Sequence, residues 1–247
     1  MRGRVCVAIL AAAVGACLVL SSVPAGARRS VVSLPPTIPE ATRLMLAGVI
    51  DHAVVSTRME ADPYVARPQV FEYLLDHLEF ATHVTRALRL ARYRIWHTDQ
   101  GRFLDDGWGA TGHFDVVYAE PGRRVFHARG QYEHTLLPAI HGDAVILLEY
   151  AFRPTPEGRT VVATTASGSL RLDSRILALA GLVVTPILQA EANREARHVL
   201  KVFAKVTRAL EDGPDAVYEA VRQRPDVPQQ ELAEFRRLLT REFSAKR

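Results

Sequence analysis

FDVVYAEPGRRVFHARGQYEH, residues 114–134, reads as two β-strands joined through a turn at Glu120-Pro121-Gly122. A connection this short makes the two strands antiparallel neighbours. Downstream, AVILLEYAF (144–152) places Ala144, Ile146, Leu148, Tyr150 and Phe152 on one wholly apolar face, with Glu149 pointing the other way. The strands predicted across this region are Arg92–His97, Gly112–Tyr118, Arg124–His134, Ala144–Phe152 and Thr160–Leu172. Turn residues at 99–101, 120–122, 141–143 and 156–158 bound them. An earlier strand, His52–Ala61, stops at Asp62-Pro63. Hairpin-length links throughout favour an antiparallel meander over βαβ units.

Helical periodicity flanks the strands on both sides. Val70, Phe71, Leu74, Leu75, Leu78 and Ala81 recur at three- and four-residue spacing within Arg67–Leu90, with Pro68 in the first turn and a break expected near 77–81. Residues 41–50 read as a short helix or as the lead into the first strand. After the strands, Ser174–Val184 is almost entirely apolar. Thr185-Pro186 has the chemistry of a helix start, and an apolar stripe follows through Leu188, Ala192, Ala196, Val199, Phe203, Val206 and Leu210. Asp212-Gly213-Pro214 ends that helix, and 215–224 and 229–243 read as two shorter ones.

The expected fold class is therefore α+β, a curved antiparallel β-sheet wrapped around a long C-terminal α-helix in the helix-grip manner, because one apolar sheet face needs a long element to cover it. The strand ending at Ala61-Asp62, the segment ARPQVFEYLLD (66–76), the strand pair 114–134 and the terminal amphipathic helix together resemble the START-like superfamily, also called the polyketide cyclase or SRPBCC group, over about residues 50–212. The resemblance implies an apolar cavity between sheet and helix that holds a lipid, sterol, polyketide or other hydrophobic molecule. The export pattern and the extra C-terminal helices depart from that group. The expected organisation is 1–27 signal peptide, 28–40 extended linker, 41–212 START-like domain and 213–247 helical extension.

Six residues are candidates for the ligand site. FLDDGWGATG (103–112) reads either as a loop at the cavity mouth, with Trp108 as an apolar lid and Asp106 orienting a polar group, or as a plain hairpin. Phe126, Gly130, Tyr132 and His134 fall on one strand face; Tyr132 and His134 could supply polar contacts, and the glycine marks a bulge or a close approach. Phe203 on the long helix completes the set. Asp106, Tyr132 and His134 are also what a cyclase or hydrolase would use, the alternative to a binding protein. The histidines do not form a metal site: His127 and His134 are an odd number of residues apart on a strand, and His77 and His83 sit about 240° apart around a helix. No catalytic residue, cofactor or metal is predicted.

The chain opens with Arg2 and Arg4, an apolar run Val5–Leu20 and then Ala25-Gly26-Ala27, the pattern of a cleavable signal peptide. That implies a periplasmic or secreted protein. Two alternatives stay open: acylation at Cys17 within Val14-Gly15-Ala16-Cys17, and an uncleaved anchor. Both cysteines, Cys6 and Cys17, lie in this segment, which leaves the remainder without disulfide or thiolate chemistry. Residues 1–27 hold two arginines and no acid, so the net charge of +4 becomes +2 without them. The basic residues are scattered, which argues against nucleic acid as a partner. Ile176–Leu188 (ILALAGLVVTPIL) is too short to span a bilayer and reads as a buried plug or as a peripheral membrane contact that passes lipid into the cavity.

Overall fold

The computed structural model describes residues 31–107, 109–134 and 137–244; the side chains at 134, 137, 138, 174–188, 191 and 241–244 are outside the description. The elements run α1 (Glu40–Ile50), β1 (Val55–Glu60), β2 (Tyr64–Val65), α2 (Pro68–Asp76), α3 (Leu78–Ala87), β3 (Arg94–Thr98), β4 (Gly101–Asp105), β5 (Ala110–Glu120), β6 (Arg123–His134), β7 (Leu137–Pro154), β8 (Thr160–Leu172), α4 (Ser174–Asp212), α5 (Pro214–Arg222) and α6 (Gln229–Ser244). The fold is α+β. Its eight strands form one open antiparallel sheet in the order β1-β8-β7-β6-β5-β4-β3, with β2 pairing to β8 beside β1. The consecutive hairpins β3 to β8 are the expected meander.

Both faces of the sheet carry cores, set by the two-residue period of the strands. On the outer face Val125, Val145 and Leu147 pack beneath Leu46 and Val49 of α1. Val32 and Ile38 join them, 3% and 4% exposed, so this part of the segment expected as an extended linker packs against the sheet. On the inner face Leu148, Tyr150 and Val162 meet Phe71 and Leu75 of α2 and Leu200 of α4. A third core is purely helical. Val70, Leu74, Phe80 and Val84 join Val202, Val206 and Leu210 of α4, Val217 and Val221 of α5, and Phe235 and Leu239 of α6. The two terminal helices thus complete a core begun by α2 and α3.

α4 departs from expectation at its start. The helix begins at Ser174 and continues through Thr185-Pro186 to Asp212 as one 39-residue element, about 58 Å at 1.5 Å per residue. Its contacts with the sheet run along β1, β2 and β8. Gln189 meets the edge strand directly: its amide oxygen accepts from Ser56 N–H at 3.3 Å and its amide nitrogen donates to Ser56 C=O at 2.6 Å. Thr57 donates to Asn193 Oδ1 at 2.6 Å one helical turn on. The helical stretch 67–90 breaks at His77, within the expected interval, giving α2 and α3.

Candidate functional site

Strand register sorts the inner face into two unlike halves. At one end Leu148, Tyr150 and Val162 are buried under α2 and the second half of α4. Next to them the paired rows Val116–Phe126–Ile146–Gly168 and Phe114–Ala128–Ala144–Leu170 continue the same face. Every residue of those rows is only partly buried, and Ile146 is 40% exposed. Ile95 and Leu104, paired across β3 and β4, extend this half-covered apolar strip toward the free edge.

At the boundary between the halves sits a polar cluster with no counterpart among the sequence candidates. Arg124 projects from β6 onto α2, its side chain 7% exposed, and donates to Glu72 Oε2 at 2.8 Å and Asp76 Oδ1 at 3.0 Å. It also donates to the carbonyls of Glu120 and Arg123, and its guanidinium lies 5.8 Å from the Tyr150 ring centroid. Tyr150 donates to the same Glu72 oxygen at 2.7 Å. Burial, then the hydrogen bond to the carboxylate, pushes the Tyr150 phenol above its ordinary range. A phenol held protonated beside an anchored ion pair serves as a clamp between α2 and the sheet. In sequence Arg124 is merely the second of two arginines after a turn, and nothing local reveals its partners 48 and 52 positions away.

The candidate residues divide into two groups. Phe126 and Phe203 belong to one inner cluster around Phe71, which also touches the rings of Tyr150 and Phe152 at centroid distances of 5.2 and 5.6 Å; Phe203 is 6.2 Å from Phe71. Tyr132 lies further along the same face as Phe126, 40% exposed, near Gly109 of the β4–β5 turn. Asp106 belongs to that turn: its Oδ1 accepts from Ala110 N–H at 3.0 Å, while Asp105 Oδ1 accepts from Gly107 N–H at 2.7 Å. Both carboxylates therefore hold the turn itself, as hairpin-forming aspartates do. FLDDGWGATG is accordingly the end of β4, a turn, and the start of β5. Trp108 lies outside the described residues, as does the side chain of His134. The backbone of His134 pairs with Leu137 after a register shift that begins past Tyr132. Among the described residues no cluster of three or more His, Cys, Asp or Glu could hold a metal ion.

Gly130 proves to be one of three. Gly112, Gly130 and Gly142 stand at one register level across β5, β6 and β7. A Cβ on them would come 2.6, 2.4 and 2.5 Å from the backbone oxygens of Arg129, Thr111 and Arg171. The close approach at Gly130 is therefore by backbone. The triplet His141-Gly142-Asp143, expected as a turn, runs instead inside β7 as part of this row. Asp143 faces the opposite side, where Arg129 donates to it at 2.8 Å and Arg171 pairs with its other oxygen.

No family model matches the sequence, and no curated protein matches it. Among solved structures, a hypothetical protein from Helicobacter pylori is 15% identical with a TM-score of 0.34, the match covering 62% of this chain and 86% of that one. The di-domain ARO/CYC StfQ from the steffimycin biosynthetic pathway is 14% identical with a TM-score of 0.35, over 70% of this chain and 61% of that one. A protein from Thermus thermophilus is 15% identical with a TM-score of 0.27, over 62% and 97%. TM-scores this low carry neither a family nor an activity over to this chain.

Proposed function

We propose that this chain is a START-like binding protein of the cell envelope, which holds an apolar ligand, a lipid or isoprenoid, between the inner sheet face and α4. The observation that carries the reading is the half-covered strip. Phe114, Val116, Phe126, Ala128, Ala144 and Ile146 form contiguous apolar surface that the described helices leave partly open, beside Leu148, Tyr150 and Val162 of the same face, which are buried. Contiguous exposed apolar surface marks a binding region more often than a passive one. The charge-free apolar opening of residues 5–20 supports export, and Ile176–Leu188 is the segment through which ligand would pass from a membrane. Among the described residues no helix is long and apolar enough to cross one.

Covering the strip with eight methylenes would contribute roughly 6 kcal/mol at about 0.8 kcal/mol per CH₂, which corresponds to dissociation constants of the order of tens of micromolar. The test is native mass spectrometry of the protein purified from its own host, combined with titration of cis-parinaric acid. A co-purifying apolar molecule and saturable probe binding are expected. Ile146→Asp should weaken probe binding about tenfold while costing little stability, because the side chain is already 40% exposed. Protein that is repeatedly empty and does not bind the probe would sink the proposal.

A further inference from the structure

The second feature of the molecule lies on its helical side. α3 ends in a Schellman turn: Arg89 N–H donates to Arg86 C=O at 3.1 Å and Leu90 N–H to Thr85 C=O at 2.9 Å. The left-handed position of such a turn normally belongs to glycine, yet here it holds Arg89, with φ 56°. Arg89 opens onto a cleft of about 680 Å³ whose walls include Arg86, Arg92, Arg94, Arg224 and His198. Five arginines from the end of α3, the lead into β3, the start of β3 and the α5–α6 loop thus line one space. Tyr93 shares the cleft and donates to Glu195 of α4, tying the β3 lead to that helix.

Carboxylates meet part of this charge, and Glu195 is engaged by Tyr93. Asp226 accepts from Arg86 at 3.2 Å and lies 3.4 Å from Arg224 and 3.7 Å from His83. Arg94 lies 5.5 Å from the Trp96 ring centroid, and among the described residues neither it nor Arg89 has a carboxylate within ion-pair distance. Like charges crowded in a concave space repel one another, and the concave wall strengthens the field. The guanidinium fork matches phosphate oxygens two at a time.

We propose that this cleft binds a phosphate-bearing anion, whether the headgroup of a phospholipid or a soluble phosphate compound. The site is separate from the apolar strip and its test uses separate probes. Calorimetric titration of the full chain with pyrophosphate reads the soluble source. Flotation with vesicles of equal parts phosphatidylcholine and phosphatidylglycerol, against phosphatidylcholine alone, reads the headgroup.

Arg89→Gly is the informative variant, because it removes the guanidinium while giving the turn its preferred residue. It should melt no lower than the parent and bind the anion about tenfold more weakly. Arg208→Gln removes the same charge from a side chain 83% exposed elsewhere on α4, and should leave binding unchanged. Pyrophosphate binding without vesicle capture assigns a soluble ligand; vesicle capture that pyrophosphate displaces assigns the headgroup. The proposal is overturned if neither probe binds, if Arg89→Gly binds as the parent does, or if Arg208→Gln weakens binding equally.

Discussion

Gly130→Ala separates two roles that a glycine inside a strand can have, relief of backbone crowding and room for a ligand. The added methyl would stand 2.4 Å from Thr111 O, 3.1 Å from Gly112 Cα and 3.3 Å from Thr111 C. Ordinary contact begins near 3.4 Å, so β5 and β6 must part by about 1 Å at that level. Backbone cannot rotate away as a side-chain tip can. The strain, together with a weakened ladder hydrogen bond of about 1 kcal/mol, gives an expected loss of about 2–3 kcal/mol. For a chain of this size that lowers the melting temperature by roughly 4–12 °C.

The matched control is Gly168→Ala on the same inner face, where the nearest atoms are Thr57 Cγ2 at 3.3 Å and Val145 O at 3.9 Å. Its methyl meets a side chain that can give, so stability should stay within about 0.5 kcal/mol of the parent. Urea denaturation of both variants, followed by circular dichroism, measures the contrast. A Gly130→Ala protein as stable as the Gly168→Ala protein would refute the crowding argument, and the more so if it had lost affinity for an apolar probe instead.

Phe235→Ala should cost about 3–5 kcal/mol in the same denaturation experiment, since Phe235 is fully buried 5.1 Å from the Phe80 ring; a loss under about 1 kcal/mol would show α6 to be peripheral. Acid titration tests Asp143. Burial pushes its carboxyl upward, but the hydrogen bonds from Arg129 and Arg171 outweigh this and hold it below its ordinary value of 3.8. Its contribution is therefore complete above that pH and is lost as pH falls through the lower folded value. Asp143→Asn should be less stable than the parent at neutral pH, with the gap closing below that value; a gap that persists in acid contradicts the assignment.

The regular parts of this fold are legible where one period dominates. Thr160–Leu172 emerges at its full length because the turn at 156–158 precedes it and the almost entirely apolar run from Ser174 follows it. β4 escapes because all five of its residues are half-buried, so no alternation exists to read. Pro186 misleads for a different reason: the chemistry that suits a first helical turn also occurs inside α4, and a local rule cannot see the turns already wound before it. The glycine at 142 carries a turn signal locally, while its role depends on Arg171 of a neighbouring strand. Of the candidate site, Phe126 and Phe203 follow from face and stripe. The Arg124 cluster and the arginine cleft do not, because each is assembled from segments far apart in the chain.

The Gln189–Ser56 pairing has a consequence for self-association. A sheet that remains open exposes unpaired backbone groups at its two margins, and any extended chain can add there. By occupying both the N–H and the C=O of Ser56 with one side-chain amide, α4 mimics the next strand and stops the ladder at β1. Polymerisation would then have to proceed from the β3 margin, where Arg94 at the strand's first position discourages an incoming copy through like-charge repulsion. Replacing Gln189 with leucine would free both backbone groups of Ser56 and so reopen the β1 margin to an incoming strand.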